Sequence, residues 1–344
     1  MHNPESQNPI CRIAVDAMGG DFAPRNAVTG AIQAFEEKKN FELLLVGKKS
    51  AIKDVIFKNK LNFDENNIIH ADDVIEMADV PVNAIKLKPN SSIVVGASLV
   101  KDKKADAFVS AGNTGAMMAA STLIIGRIAG IGRPTIGQAM PNETGISMLF
   151  DVGASVDSKP RHLLEYAIMG TIFTKEIYGI ENPTVGILSV GEEDTKGNEL
   201  SLTASELIRK TNLNFIGNVE GRDILKGTAN VVVCDGFVGN IVIKFGESVL
   251  DFLKFKFKTY ANEGMINKLK MGLVKSSLKT VLKDFDYEEY GGVPLLGING
   301  ISIIGHGSST PRAIKNMVIR AHEMYEKKLI EKIESSIKNY SNIN

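Results

Sequence analysis

The sequence predicts an α/β fold, a three-layer α/β/α arrangement around a mostly parallel open sheet. Two observations predict it. Six β-branched apolar runs each end in a loop of small and polar residues, as strands buried on both faces do. Amphipathic stretches of helical period alternate with those runs, and right-handed crossovers then make the sheet parallel. A third observation adds a protrusion: one Lys-rich segment near residue 260 breaks the alternation and reads as an amphipathic helix pair.

The elements follow in order. A strand from Ile13 ends at Gly19-Gly20-Asp21, and residues 24–39 read as a helix with Ala27, Val28, Ala31, Ile32 and Phe35 on one stripe. Strands at 43–47 and 68–70 bracket a short helix at 50–58. A helix over 92–101 leads into Phe108-Val109, the loop Ala111-Gly112-Asn113-Thr114-Gly115, and a helix over 115–125. A further segment opens at Pro134. Met148-Leu149-Phe150 runs into Asp151-Val152-Gly153-Ala154-Ser155, followed by a helix over 160–178. A strand over 185–190 closes on Gly191-Glu192-Glu193-Asp194, with a helix over 200–210 behind it. Strands at 214–216 and 231–233 follow, the second ending in Cys234-Asp235-Gly236. Ile301-Ser302-Ile303-Ile304 ends in Gly305-His306-Gly307-Ser308-Ser309. Thr310 then caps one long final helix with Pro311 at its first position and Ile314, Val318, Ala321, Tyr325, Leu329 and Ile333 inward.

The exception spans residues 249–283, with eight lysines against Asp251 and Glu263. Leu250, Leu253 and Phe257 share one helical face, and Val274, Leu278, Val281 and Phe285 another. Gly264 and Gly272 lie between the two runs, with an apolar tip of Met265, Ile266, Leu269, Met271 and Leu273. The alternation from Leu253 to Lys258 also fits an exposed strand.

At 344 residues the chain has room for a large core in one domain or two. The expected plan is a disordered lead-in over 1–11, a single α/β domain over 12–335 with the helical arm at 246–286, and a tail over 336–344. Lys plus Arg and Asp plus Glu balance at 40 each, so no global field points to nucleic acid. Cys11 and Cys234 stand far apart, which suits a reducing cytoplasm and supplies neither disulfide nor metal framework. No apolar run approaches the ~20 residues of a membrane span.

The loops carry the chemistry. Gly305-His306-Gly307-Ser308-Ser309-Thr310 joins a strand to a capped helix, so backbone N–H groups, two hydroxyls and a positive helix end converge. This suits an anion; a tight turn plus an N-cap is the plainer alternative. His306 is the one histidine in such a loop and suits donation to phosphate or acid–base work. Asn113 and Thr114 repeat the design, either as donors to an oxyanion or as a helix cap. Asp157-Ser158-Lys159-Pro160-Arg161-His162 sets two cations at a helix start, where they oppose the dipole unless a negative ligand offsets them. The run Glu192 to Glu199 is a solvated acidic loop around Lys196 or Asn198, and lacks the histidine or second acid cluster that a metal asks for. Cys234 at a strand end reads as a small buried hydrophobe. No G-x-S-x-G elbow, Walker A motif or G-x-G-x-x-G fingerprint is present.

Taken together, seven ordered motifs resemble the PlsX family, the phosphate acyltransferases of bacterial phospholipid synthesis. They are Val-Asp-Ala-Met-Gly-Gly-Asp (15–21), Phe-Val-Ser-Ala-Gly-Asn-Thr-Gly-Ala (108–116), Asp-Val-Gly-Ala-Ser-Val-Asp-Ser-Lys-Pro (151–160), Lys-Gly-Asn-Glu-Leu (196–200), Asp-Gly-Phe-Val-Gly-Asn (235–240), Tyr-Gly-Gly-Val-Pro-Leu-Leu-Gly-Ile-Asn-Gly (290–300) and Ile-Gly-His-Gly-Ser-Ser (304–309). The resemblance runs from about Ile13 to Tyr325. Ser155 stands where the family usually has Asn, Cys234 where Thr is common, and Val238 where Thr is frequent.

The resemblance implies a fold akin to phosphotransacetylases and isopropylmalate dehydrogenases. It implies that acyl-[acyl carrier protein] and inorganic phosphate give acyl phosphate and free carrier protein; no cofactor is expected and no residue is assigned to a metal. It also implies a homodimer, peripheral association with the inner face of the cell membrane, and delivery of product to a membrane glycerol-3-phosphate acyltransferase. Such an enzyme needs no serine or cysteine nucleophile, because phosphate attacks the thioester itself and the protein's task is positioning. Within this frame phosphate is expected against His306, Ser308, Ser309, Thr114 and the amides of Gly305 and Gly307, helped by Lys159 or Lys196. Asn113, Thr114, Asn198 or Asn240 is expected to hold the oxyanion, one such donor being worth roughly 3 kcal/mol. For the arm, a dimer contact with a solvated face stands beside docking to an anionic membrane through Leu269 and Leu273, with Lys254, Lys268 and Lys270 attracting lipid or acidic carrier protein. The rivals are a nucleotide-dependent dehydrogenase of the isopropylmalate type and a non-catalytic acyl-phosphate-binding scaffold.

Overall fold

The computed structural model of the chain describes residues 10–285 and 287–340. Nearly all of the expected lead-in, and residues 341–344 of the expected tail, lie outside the described residues. The chain divides into two compact units. In chain order the elements are β1 (Cys11–Asp16), α1 (Arg25–Lys38), β2 (Phe41–Gly47), α2 (Lys49–Lys58), β3 (Ile68–His70), α3 (Pro81–Leu87), α4 (Ser92–Lys101), β4 (Ala107–Ser110) and α5 (Thr114–Ala120). Next come β5 (Thr135–Asn142), β6 (Gly145–Phe150), α6 (Pro160–Tyr178), β7 (Val185–Leu188), α7 (Glu199–Arg209), β8 (Phe215–Val219), α8 (Gly221–Lys226) and β9 (Val231–Val233). The rest are α9 (Gly236–Asn262), α10 (Met265–Val281), β10 (Val293–Leu296), β11 (Ile301–Ile304), α11 (Pro311–Glu326) and α12 (Leu329–Tyr340).

The first unit comprises residues 1–136, 172–181 and 288–344. Its strands β3, β2, β1, β4 and β11 are neighbours in that order and all parallel. β10 and the start of β5 follow in antiparallel pairing. Every residue of β4 and β11 is buried, which requires cover on both faces. α1 and α11 pack on each other and on β1, while α4 packs on β1, β2, β4 and α5. Phe108, Ile13, Leu43 and Leu45 are fully buried in the resulting core, each worth roughly 1.5–3 kcal/mol over exposure.

The second unit comprises residues 137–171 and 182–287. β5 pairs antiparallel with β6, and β6, β9, β7 and β8 continue in parallel. Leu149, Val219, Ile224, Val232, Cys234 and Ile243 form its core cluster.

The six apolar runs that end in small-residue loops are therefore β1, β4 and β11 in one unit and β6, β7 and β9 in the other. Within each unit they run parallel, so their loops share one sheet edge.

Three expectations are corrected. The single final helix is two, because Lys328 takes a left-handed conformation (φ 52°) and its N–H closes on the Tyr325 carbonyl. The turn redirects the chain so that Leu329, Ile333 and Ile337 bury their own stripe, and α12 takes in residues 336–340 of the expected tail. The strand expected over 185–190 stops at Leu188, and Val190 is exposed. The alternating stretch Leu253 to Lys258 is helical, lying inside α9, which starts at Gly236 under an Asp235 cap rather than near 249.

Candidate active site

In the first unit the carboxyl ends of β1, β4 and β11 lie side by side, with Val15 opposite Val109 and Ser110 opposite Ile304. Asp16 is buried beneath their loops. Ser110 Oγ donates to its Oδ2 at 2.7 Å, the Met18 N–H donates to its Oδ1 at 3.0 Å, and the Gly112 N–H donates to Ser110 Oγ at 3.0 Å. Burial pushes the Asp16 carboxyl above its ordinary range, against the opposing pull of Ser92, Ser110 and the Met18 and Gly19 amides. The fold thus holds this proton more firmly than the unfolded chain does. The associated stability is present at low pH and is lost as pH rises through the elevated value.

The glycine-rich loop after β11 hangs on this platform. The Gly305 N–H donates to the Ser110 carbonyl at 2.8 Å, the Asp21 N–H donates to the Gly307 carbonyl at 2.7 Å, and Asn26 Nδ2 donates to the Ser309 carbonyl at 3.1 Å. Thr310 Oγ1 accepts from the Ala313 N–H, with Pro311 opening the sixteen-residue α11. His306 is exposed at the loop's crest. Its Nδ1 accepts from the Ser308 N–H at 3.2 Å and lies 2.7 Å from Ser308 Oγ. An acceptor Nδ1 leaves the ring proton on Nε2, so a neutral imidazole acts there as a donor. Ser309 Oγ donates to the His306 carbonyl at 2.6 Å. The N–H groups of Gly20 and Gly307 have no acceptor among the described residues.

Asn113 does something the sequence left open. Its Oδ1 caps α5 through the Ala116 N–H, and its Nδ2 reaches the carbonyls of Glu76, Met77 and Asp79 at 3.0–3.1 Å. Both amide hydrogens are committed to tying the 76–79 loop to the end of β4. The helix-cap alternative describes this side chain, and Thr114 beside it is exposed.

In the second unit the loop after β6 is held by Asp151, which is fully buried and accepts from the Ser155 N–H at 2.7 Å. Ser155 in turn receives the Gly236 N–H at the start of α9. Asn240 packs against Gly153. His162 Nδ1 accepts from the Lys159 N–H at 3.0 Å, and the Lys159 side chain is exposed. Arg161 pairs with the buried Glu165. In the loop after β7, Asn198 Oδ1 caps α7 through the Ser201 N–H, and Lys196 is exposed while its carbonyl is held by Asn218 and Ser189. The neighbouring acids are ion-paired: Glu192 with Arg222, and Asp194 with Arg209. Glu192, Glu220 and Asp223 do converge, but Arg222 bridges the first two and Asp223 caps α8. Burial drives the Cys234 thiol well above its ordinary range, which removes it as a nucleophile.

Of the expected residues, the structure brings His306, Ser308, Ser309, Gly305 and Gly307 together on one loop, while Lys159, Lys196 and Asn198 belong to loops of the second unit. Lys254 pairs with Asp251 on α9, and Lys268, Lys270, Leu269 and Leu273 stand on α10, which has no buried residue. Asp16, Asp21 and Asn26 carry no individual role in the sequence, where the first two belong to a loop that reads as architecture as much as chemistry. The signal for the first two was their place at either end of a strand-end glycine pair.

A helix-capped glycine loop beside parallel strand ends, with no activated nucleophile among the described residues, marks an α/β fold whose strand-end loops are open to a ligand. In fold the chain is similar to a phosphotransacetylase from Streptococcus pyogenes, which superposes with a TM-score of 0.61 at 18% identity over 94% of each chain, and to one from Staphylococcus aureus, with 0.58 at 16% over 92% of this chain and 94% of that one. The chain belongs to the phosphate acyltransferase family; the family described as fatty acid synthesis protein matches residues 11–332. It is 48% identical to the phosphate acyltransferase of Pelotomaculum thermopropionicum over 326 residues, 95% of each chain. It is 46% identical to that of Chlorobaculum parvum, covering 94% of this chain and 98% of the relative. The chain is thus an acyltransferase, and the dehydrogenase alternative is not favoured.

Proposed function

We propose that the chain transfers the acyl group of an acyl-[acyl carrier protein] thioester to inorganic phosphate, and that the loop after β11 holds the phosphate. One phosphate oxygen attacks the thioester carbonyl; the C–O bond forms, the C–S bond breaks, and the carrier thiolate takes up a proton. The observation that carries this reading is the junction of His306, two serines and the Gly20 and Gly307 amides, which have no acceptor among the described residues, beside a capped helix start. The names of the relatives supply the reaction. The decisive assay follows acyl phosphate formation from acyl-carrier protein with and without phosphate. Phosphate-dependent release of free carrier protein is expected; carrier release without phosphate, or none with it, overturns the reading.

We also propose that the α9–α10 arm docks on an anionic membrane, with the chain as a homodimer, so that acyl phosphate passes to a membrane glycerol-3-phosphate acyltransferase. No helix among the described residues is long and apolar enough to cross a membrane. Met265, Ile266, Leu269 and Leu273 are all exposed, Met265 by 88%, beside Lys268 and Lys270, which suits shallow insertion with electrostatic help. Leu269→Glu combined with Leu273→Glu is expected to abolish flotation with anionic vesicles at unchanged thermal stability. Undiminished flotation refutes the tip.

A further inference from the structure

Asp21 closes the β1 loop and stands outside the phosphate cradle as read from the sequence. Its backbone N–H is bonded to the Gly307 carbonyl at 2.7 Å. One of its carboxylate oxygens lies 2.9 Å from where a Cβ on Gly307 would stand. The side chain is exposed and makes no ion pair among the described residues. A negative group is therefore held against the same glycine whose N–H has no acceptor among the described residues. As charge alone, this opposes any anion.

The opposition disappears if the anion brings a proton. Inorganic phosphate near neutral pH keeps at least one P–OH hydrogen, whereas sulfate, of the same shape, keeps none. A carboxylate accepts a strong, short hydrogen bond from P–OH, but offers a bare sulfate oxygen only lone pairs against lone pairs. We propose that Asp21 selects phosphate over sulfate by accepting a hydrogen bond from the P–OH group of phosphate bound at the 305–309 loop. Gly20, Gly307 and His306 supply the donors for the unprotonated oxygens, and Asp21 supplies the one acceptor. This rests on the phosphate-loop reading above.

A buried site built to bond a hydroxyl rejects the analogue lacking it by factors near 10⁴, and an exposed carboxylate is expected to give about 10–100. Asparagine offers both a donor and an acceptor, so Asp21→Asn keeps phosphate binding and admits sulfate. The test measures the phosphate KM and the sulfate inhibition constant on the full chain with acyl-carrier protein as donor. In Asp21→Asn the sulfate constant is expected to fall at least tenfold relative to the phosphate KM. A loop merely loosened by the substitution weakens both ions together and leaves that ratio fixed; an unchanged ratio overturns the proposal. Gly307→Ala tests the loop independently, since its Cβ crowds the Asp21 carboxylate and the Met77 side chain. If its phosphate KM is unchanged, the phosphate-loop reading fails and the Asp21 proposal with it. If that KM rises while the Asp21→Asn ratio stays fixed, only the Asp21 proposal fails.

Discussion

Replacing His306 by alanine is expected to lower the rate of acyl phosphate formation by about a hundredfold, the lower end of what a positioned donor or acid–base group supplies. The ring is oriented by the Ser308 N–H at Nδ1, so Nε2 presents its hydrogen in one direction. Alanine removes that donor and releases Ser308 together. The side chain is exposed, so the cost to the fold is expected within about 0.5 kcal/mol. The thermal melt should stay in place while the rate falls. His306→Asn, which restores a donor on a shorter stem, should recover part of the loss. Wild-type turnover in the alanine variant removes His306 from the mechanism.

The largest effect on stability is expected at Gly239, in the first turn of α9. A Cβ there would lie 1.9 Å from the Asp151 carbonyl oxygen and 3.1 Å from Cys234 Sγ. The helix has no room to retreat, because Asp235 clamps its first turn by accepting from the Phe237 and Val238 N–H groups at 3.0 Å. Gly239→Ala is therefore expected to cost about 3 kcal/mol, the upper range of overpacking, read as a lowered denaturant midpoint at unchanged slope. Gly272→Ala makes the opposite case. Nothing lies within 4 Å of its Cβ position in the interior of α10, so alanine should stabilise the helix by up to about 1 kcal/mol. Equal shifts in the two variants contradict the close approach.

What the sequence discloses and what it hides divide along the range of the interactions. The strands announce themselves through continuous Val, Ile and Leu runs, and the loops through Gly, Ser and Asn at their ends, because both signals are local. The helix over 160–178 and the one over 92–101 are found at their observed bounds for the same reason. Antiparallel β10 escapes notice: four residues carry no periodicity, and its direction is set by partners Ile301–Ile304 and Ile136 rather than by its own side chains. Asp16 reads as the end of a strand because its hydroxyl partner Ser110 is 94 residues away. Asn113 could be seen as a cap, since Ala116 is three residues on, but its grip on Glu76, Met77 and Asp79 spans 34–37 residues. The final helix looks continuous because its apolar stripe continues through a lysine whose left-handed backbone leaves no trace in composition. The arm shows the reverse. Its helical period is legible, yet the start of α9 is set by Asp235 and by packing on Asp151, upstream of the amphipathic stretch.

Because α10 buries none of its residues, its helical hydrogen bonds are backed by little more than its contact with α9. A segment held so lightly opens locally at far less free energy than the whole chain needs to unfold. The arm is then free to reshape against whatever surface it meets, and ordering it there draws on binding energy instead of folding energy. Such an opening leaves the hydrogen-bonded strands of each unit intact.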